Sequence, residues 1–84
     1  MDERFEISVT YSKEHLIYDA RLFISSYVYK VEVIVDTWIV WFVKDNRGDG
    51  WKPVLKSAII KNAKKPPQNL LKLISICLEN KFNL

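Results

Sequence analysis

The chain has 84 residues, 49% hydrophobic and 13% aromatic, with two Gly, three Pro and one Cys. That is too apolar for a disordered chain and too short for more than one domain, and a lone thiol excludes both an internal disulfide and a cysteine-based zinc site. The net charge of +3 is uneven: residues 1–42 carry four Lys and Arg against seven Asp and Glu, residues 43–84 nine against three.

Residues 5–11 alternate strictly, with Phe5, Ile7, Val9 and Tyr11 against Glu6, Ser8 and Thr10, which predicts a strand with one buried and one wet face. Residues 16–24 repeat the pattern through Leu16, Tyr18, Ala20, Leu22 and Ile24, and residues 29–35 through Tyr29, Val31, Val33 and Val35. Residues 38–44 are apolar on both faces, as suits an interior strand. A fifth short strand, 51–55, contains Pro53, which belongs on an edge or at a bulge. Residues 56–65 admit either an extension of that strand or a helical turn. Pro66-Pro67 then opens a helix over about 67–82, whose Leu70, Leu71, Leu73, Ile74, Cys77, Leu78 and Phe82 form one wide apolar stripe. The expected fold is α+β: a single domain over 1–84, an antiparallel four- to five-stranded β-meander packed by one C-terminal amphipathic helix.

Cross-strand charge suggests the register. Pairing Tyr11 with Leu16 sets Glu6 opposite Arg21, and a turn at Ser26-Tyr27 sets Arg21 opposite Glu32. A turn at Ser25-Ser26 would instead oppose Arg21 to Lys30, which like-charge repulsion disfavours. A two-residue turn at Asp36-Thr37 pairs Val35 with Trp38, Val33 with Val40 and Val31 with Phe42. Trp41 then points outward among Ile34, Ile39 and Val43, with Ile17 and Phe23 extending the group; a bulge would exchange Trp38 and Trp41.

These residues supply little catalytic chemistry. His15, the only histidine, stands beside the first turn, and a dyad with Cys77 would require the fold to bring turn and helix together. Glu6, Asp19 and Glu32 lie among basic partners and read as a surface charge ladder. Arg47-Gly48-Asp49 matches an integrin-binding tripeptide, yet Gly48 and the following Gly50 are explained by a turn. No metal set, glycine-rich phosphate loop or nucleophile with a base is present, so catalytic residues, cofactors and metals are all expected to be none.

Two surfaces remain. A sheet with one helix covers only one of its faces, so Ile34, Ile39, Trp41, Val43, Ile17 and Phe23 are expected to form an interaction surface for a second copy or a protein partner. Trp51 with Lys52, Lys56, Lys61, Lys64 and Lys65 forms the alternative, a basic aromatic surface for single-stranded nucleic acid. The longest uncharged apolar stretch, Thr37 to Val43, is far below the roughly 20 residues of a membrane span, and Met1-Asp2-Glu3-Arg4 lacks a signal-peptide core. A cytoplasmic protein without a membrane partner is expected.

The elements Tyr27-Val28-Tyr29-Lys30, Val33-Ile34-Val35-Asp36, Val40-Trp41-Phe42, and Asp45 through Gly50 leading to Trp51-Lys52 resemble a family of short uncharacterised bacterial proteins, mostly from the Bacteroidetes. The resemblance covers Phe5 to Lys52 and the C-terminal helix; it implies a β-meander with a terminal helix and no assigned activity. Thr37 stands where Gly commonly follows the Asp, and Val43-Lys44 where an acidic-proline pair is common.

Overall fold

A computed structural model describes residues 2–25, 28–44 and 50–82. The turn expected at Ser26-Tyr27 and the Arg47-Gly48-Asp49 tripeptide lie outside the described residues. Five strands, β1 (Asp2–Tyr11), β2 (Glu14–Ser25), β3 (Val28–Val35), β4 (Trp38–Lys44) and β5 (Lys52–Ala58), precede one helix, α1 (Gln68–Lys81). The strands form a single antiparallel sheet in chain order, β1-β2-β3-β4-β5, the meander expected from the alternation.

Burial follows the period of two. Ile7 and Val9 of β1, Tyr18, Ala20 and Leu22 of β2, and Val31, Val33 and Val35 of β3 all face inward with Val40 and Phe42 of β4. Leu70, Leu71, Ile74 and Leu78 of α1 close over them. Val31, Val33, Val35, Val40, Phe42, Ile74 and Leu78 are almost fully sequestered, and each contributes about 1.5–3 kcal/mol by leaving water. Trp38 packs against this core and Trp41 does not, which settles which tryptophan faces inward.

The helix comes closest to β1 and β5, the two edge strands. In a flat sheet those edges would stand about 19 Å apart, wider than the roughly 10–12 Å diameter of a helix. The sheet therefore curls around α1. Phe82 closes the end of the core, with its ring 5.3 Å from Phe5 and 5.8 Å from Trp51.

One register departs from expectation. β1 and β2 join through a two-residue turn in which Ser12 (φ 49°) and Lys13 (φ 66°) both take the left-handed conformation, so Tyr11 pairs with Glu14 rather than Leu16. Glu6 consequently faces Asp19, and Arg4 faces Arg21. In β5 the pairing shifts between Ile39 and Val40, leaving Lys56 as the extra residue of a bulge. The strand itself continues to Ala58, beyond the expected Leu55, before the chain bends back with the Ile59 N–H bonded to the Thr37 carbonyl at 2.8 Å. Pro67 caps α1 rather than occupying its first turn.

Candidate interaction face of the sheet

The registers fix which side chains share the outer face, away from α1. One row across the sheet reads Arg4, Arg21, Glu32, Trp41 and Val54; the row beside it reads Phe23, Lys30, Val43 and Lys52. On the other side of Trp41 lie Ile34 and Ile39, flanked by the bulged Lys56. Ile34, Ile39, Trp41 and Val43, with Phe23, thus come together as expected. Ile17 is exposed on the stretch of β2 that pairs only with β1.

Trp41 is the centre of this face. It is half-buried, and its indole N–H donates to Glu32 Oε2 at 3.0 Å. Lys30 holds its ammonium 3.8 Å from the ring centroid, and Lys56 places a second at 4.7 Å. Lys30 also lies 5.6 Å from the Phe23 ring, which Arg21 approaches at 5.1 Å. Cations and aromatic rings alternate across four strands, β2 to β5. Each such contact is worth about 0.5–1 kcal/mol at an exposed site, and together they order side chains that would otherwise be mobile. Composition alone did not reveal Lys30 and Arg21 as partners of the aromatic residues; their place in the register does.

The opposed Arg4 and Arg21 should repel. Diagonal neighbours relieve this, since Asp19 lies two residues along β2 from Arg21, diagonal to Arg4, and Glu6 lies two residues along β1 from Arg4, diagonal to Arg21. Where the β2–β3 ladder ends at Ala20 and Val33, a shallow cavity of about 330 Å³ opens between Arg4, Asp19, Arg21, Glu32 and Ile34.

The basic aromatic set does not assemble as expected. Trp51 is 4% exposed and lies on the inner face against Phe82, so it offers no ring for base stacking. Alternation through Trp51, Pro53 and Leu55 turns those three toward α1 and sends Lys52 and Lys56 outward. Lys61 and Lys64 are exposed on the connection to the helix, and Lys65 lines a groove beside α1.

His15 and Cys77 both engage Ser8: His15 Nε2 lies 2.8 Å from the Ser8 hydroxyl, while the Cys77 thiol donates to the Ser8 carbonyl at 3.6 Å. Burial pushes the Cys77 thiol up from its ordinary value, which opposes thiolate formation. No group of three or more His, Cys, Asp or Glu suited to a metal occurs among the described residues. No described helix is long and apolar enough to cross a membrane.

Fold and face together define a small α+β domain whose sheet is covered by a helix on one side and carries an aromatic, basic and aliphatic surface on the other. No protein-family model, no curated protein and no solved structure matches the chain.

Proposed function

We propose that this protein is a non-enzymatic interaction module that docks a protein partner on the outer face of its sheet. The observation that carries this reading is Trp41, half-buried on the side away from α1, beside Ile34 at 44% and Val54 at 49% exposure. Lys30, Lys52 and Lys56 surround that apolar centre. An apolar centre within a polar rim is the anatomy of a protein interface, and tryptophan is the residue type most enriched among its energetic anchors. The basic rim selects a partner with carboxylates around an apolar contact. A second copy apposed face to face would bring lysines toward lysines, which is the poorer complement. Single-stranded nucleic acid is the weaker alternative, because Trp51 is buried and the ring of Trp41 already holds two ammonium groups.

The test titrates the protein with a synthetic amphipathic peptide bearing leucines on one face and glutamates on the other, followed by amide NMR. Shifts confined to residues 28–44 and 52–57, lost in Trp41→Ala and in the Lys30→Glu/Lys56→Glu pair, support the reading. Absence of shifts on that face at millimolar peptide refutes it. Sedimentation of the wild type as a dimer that Trp41→Ala dissolves would assign the face to a second copy. Salt-dependent binding of an oligothymidylate, with the acidic peptide inert, would assign it to nucleic acid.

A further inference from the structure

The two edges of the sheet are not alike. β5 carries Pro53 and the bulge at Lys56, devices that spoil pairing with another strand. β1 runs in regular register over ten residues, Asp2–Tyr11, and has no proline, lysine or bulge.

The turn at Ser12-Lys13 fixes which backbone groups of β1 are open. Tyr11 and Glu14 flank it and exchange hydrogen bonds, so the odd residues of β1 bond β2 and the even ones point away from the sheet. Cys77 of α1, outside the ladder, reaches the Ser8 carbonyl, as this alternation requires. Among the described residues, no backbone group outside β2 pairs with β1. The N–H and C=O groups of Arg4 and Glu6 therefore line an open edge. Beside it lies a cavity of about 340 Å³, lined in part by Ile7, Cys77, Asn80 and Lys81.

Within the monomer the charges of β1 meet the wrong partners. Arg4 faces Arg21 and Glu6 faces Asp19 across the β1–β2 ladder. On the open side, an antiparallel strand of the pattern Arg-x-Glu would set Glu against Arg4 and Arg against Glu6. β1 itself has that pattern, in Arg4-Phe5-Glu6.

We propose that two copies of this chain join edge to edge through β1, antiparallel about a two-fold axis at Phe5. Arg4 of each copy lies opposite Glu6 of the other, and their backbones exchange hydrogen bonds. Glu3 comes opposite Ile7 of the other copy, at the cavity that Lys81 lines. Other registers are poorer. Centring the pair on Arg4 or on Glu6 opposes like charges. Centring it on Ile7 puts the Ser8 carbonyl, already met by Cys77, in the middle of the ladder, whereas the Phe5 register leaves Ser8 at its end, opposite Asp2. The two outer faces then lie on one side of a continuous sheet. This association uses the edge alone and does not rest on the function proposed for the outer face.

A single strand pair falls below the roughly 1,200 Å² of a standard interface, so sedimentation equilibrium and amide exchange are followed from micromolar to millimolar protein. The wild type should dimerise. Exchange protection should rise with concentration at the Arg4 and Glu6 amides and stay constant at Phe5 and Ile7, which are bonded within the monomer. Arg4→Glu and Glu6→Arg each set like charges opposite one another in the dimer and should weaken association at least about tenfold. Each also relieves a like-charge pair inside the monomer, with Arg21 or with Asp19, so thermal denaturation should show both variants folded. An equimolar mixture of the two should associate again, because every arginine then meets a glutamate. A wild type that is monomeric at millimolar concentration overturns the proposal. So does a dimer that either substitution leaves intact, a mixture of the folded variants that stays monomeric, or protection that rises at Lys30 and Trp41 instead.

Discussion

Tyr18→Phe offers a test in which the sign of the effect is informative. Tyr18 is 7% exposed on the inner face opposite Ile7, and its hydroxyl is buried without a hydrogen-bond partner. Leaving a buried hydroxyl unsatisfied costs about 1–3 kcal/mol. Removing the oxygen while keeping the ring should therefore stabilise the fold, by about 1 kcal/mol once relaxation of the small cavity is allowed for. For a domain of this size that corresponds to a rise in Tm of about 4–8 °C. The pH dependence reinforces the test. Burial first, then the charges of Asp36 and Glu14, hold the phenol above its ordinary pKa of 10.0. The folded state therefore keeps its proton where the unfolded chain has released it. Stability contributed this way is complete below pH 10 and is lost as pH rises through the folded value, at a slope of up to about 1.4 kcal/mol per pH unit. The Phe variant has no such group, so its advantage should widen between pH 9 and about pH 11. Urea denaturation of both proteins at pH 7, 9, 10 and about 11, read by tryptophan fluorescence, measures the difference, and other titrating groups cancel in the comparison. A Phe variant less stable at pH 7 would mean that the hydroxyl has a partner. A gap that stays constant with pH would mean that its ionisation is not opposed.

Other substitutions probe the turns and the thiol. Gly50 has φ 84°, and a Cβ there would lie 2.6 Å from Glu79 Oε1; Gly50→Ala should cost about 1–2 kcal/mol by thermal denaturation, and adding Glu79→Ala should recover the collision but not the backbone strain. Ser12→Asn with Lys13→Gly supplies the residues that a turn with two positive φ angles prefers, and should gain about 1 kcal/mol by the same measurement; a loss would contradict the turn geometry. The Cys77 thiol, held above its ordinary pKa, should react with a disulfide reagent at pH 8 more slowly than an unstructured peptide of residues 70–82, and denaturation should abolish the difference.

Face was legible in the sequence where register was not. Pairing Tyr11 with Glu14 instead of Leu16 slides β2 by two positions along β1, an even number, so every side chain keeps its side of the sheet. The faces of β1 and β2 could thus be read correctly alongside a wrong list of cross-strand neighbours, although Ile24, expected inward, is 50% exposed near the end of β2. The cause is the turn: neither Ser12 nor Lys13 carries the Gly or Asn signal that marks a two-residue hairpin, yet both adopt positive φ. At Asp36-Thr37 an odd change in turn length would have turned Val35 and Trp38 to opposite faces, and the expected two-residue turn gives the observed pairing. Trp51 was misplaced for a different reason. Its lysine neighbours suggested a surface, while the alternation through Pro53 to Leu55 was interrupted too early by the bulge at Lys56 to be persuasive. The groove beside α1 has no signature in the sequence, since it arises from how the helix and β5 fail to meet.

The order of the elements also bears on how the chain reaches this structure. Every strand pairs with its neighbour in sequence, so the sheet can grow by successive hairpins as the polypeptide is made. Its inward face, however, is sealed by an element that follows all five strands. Until α1 is available to dock, Val31, Val33, Val40 and Phe42 present a greasy, strand-rich surface to the surroundings, the kind of intermediate that aggregates. Yield in the cell should therefore depend more on how promptly the helix engages than on how well the strands pair.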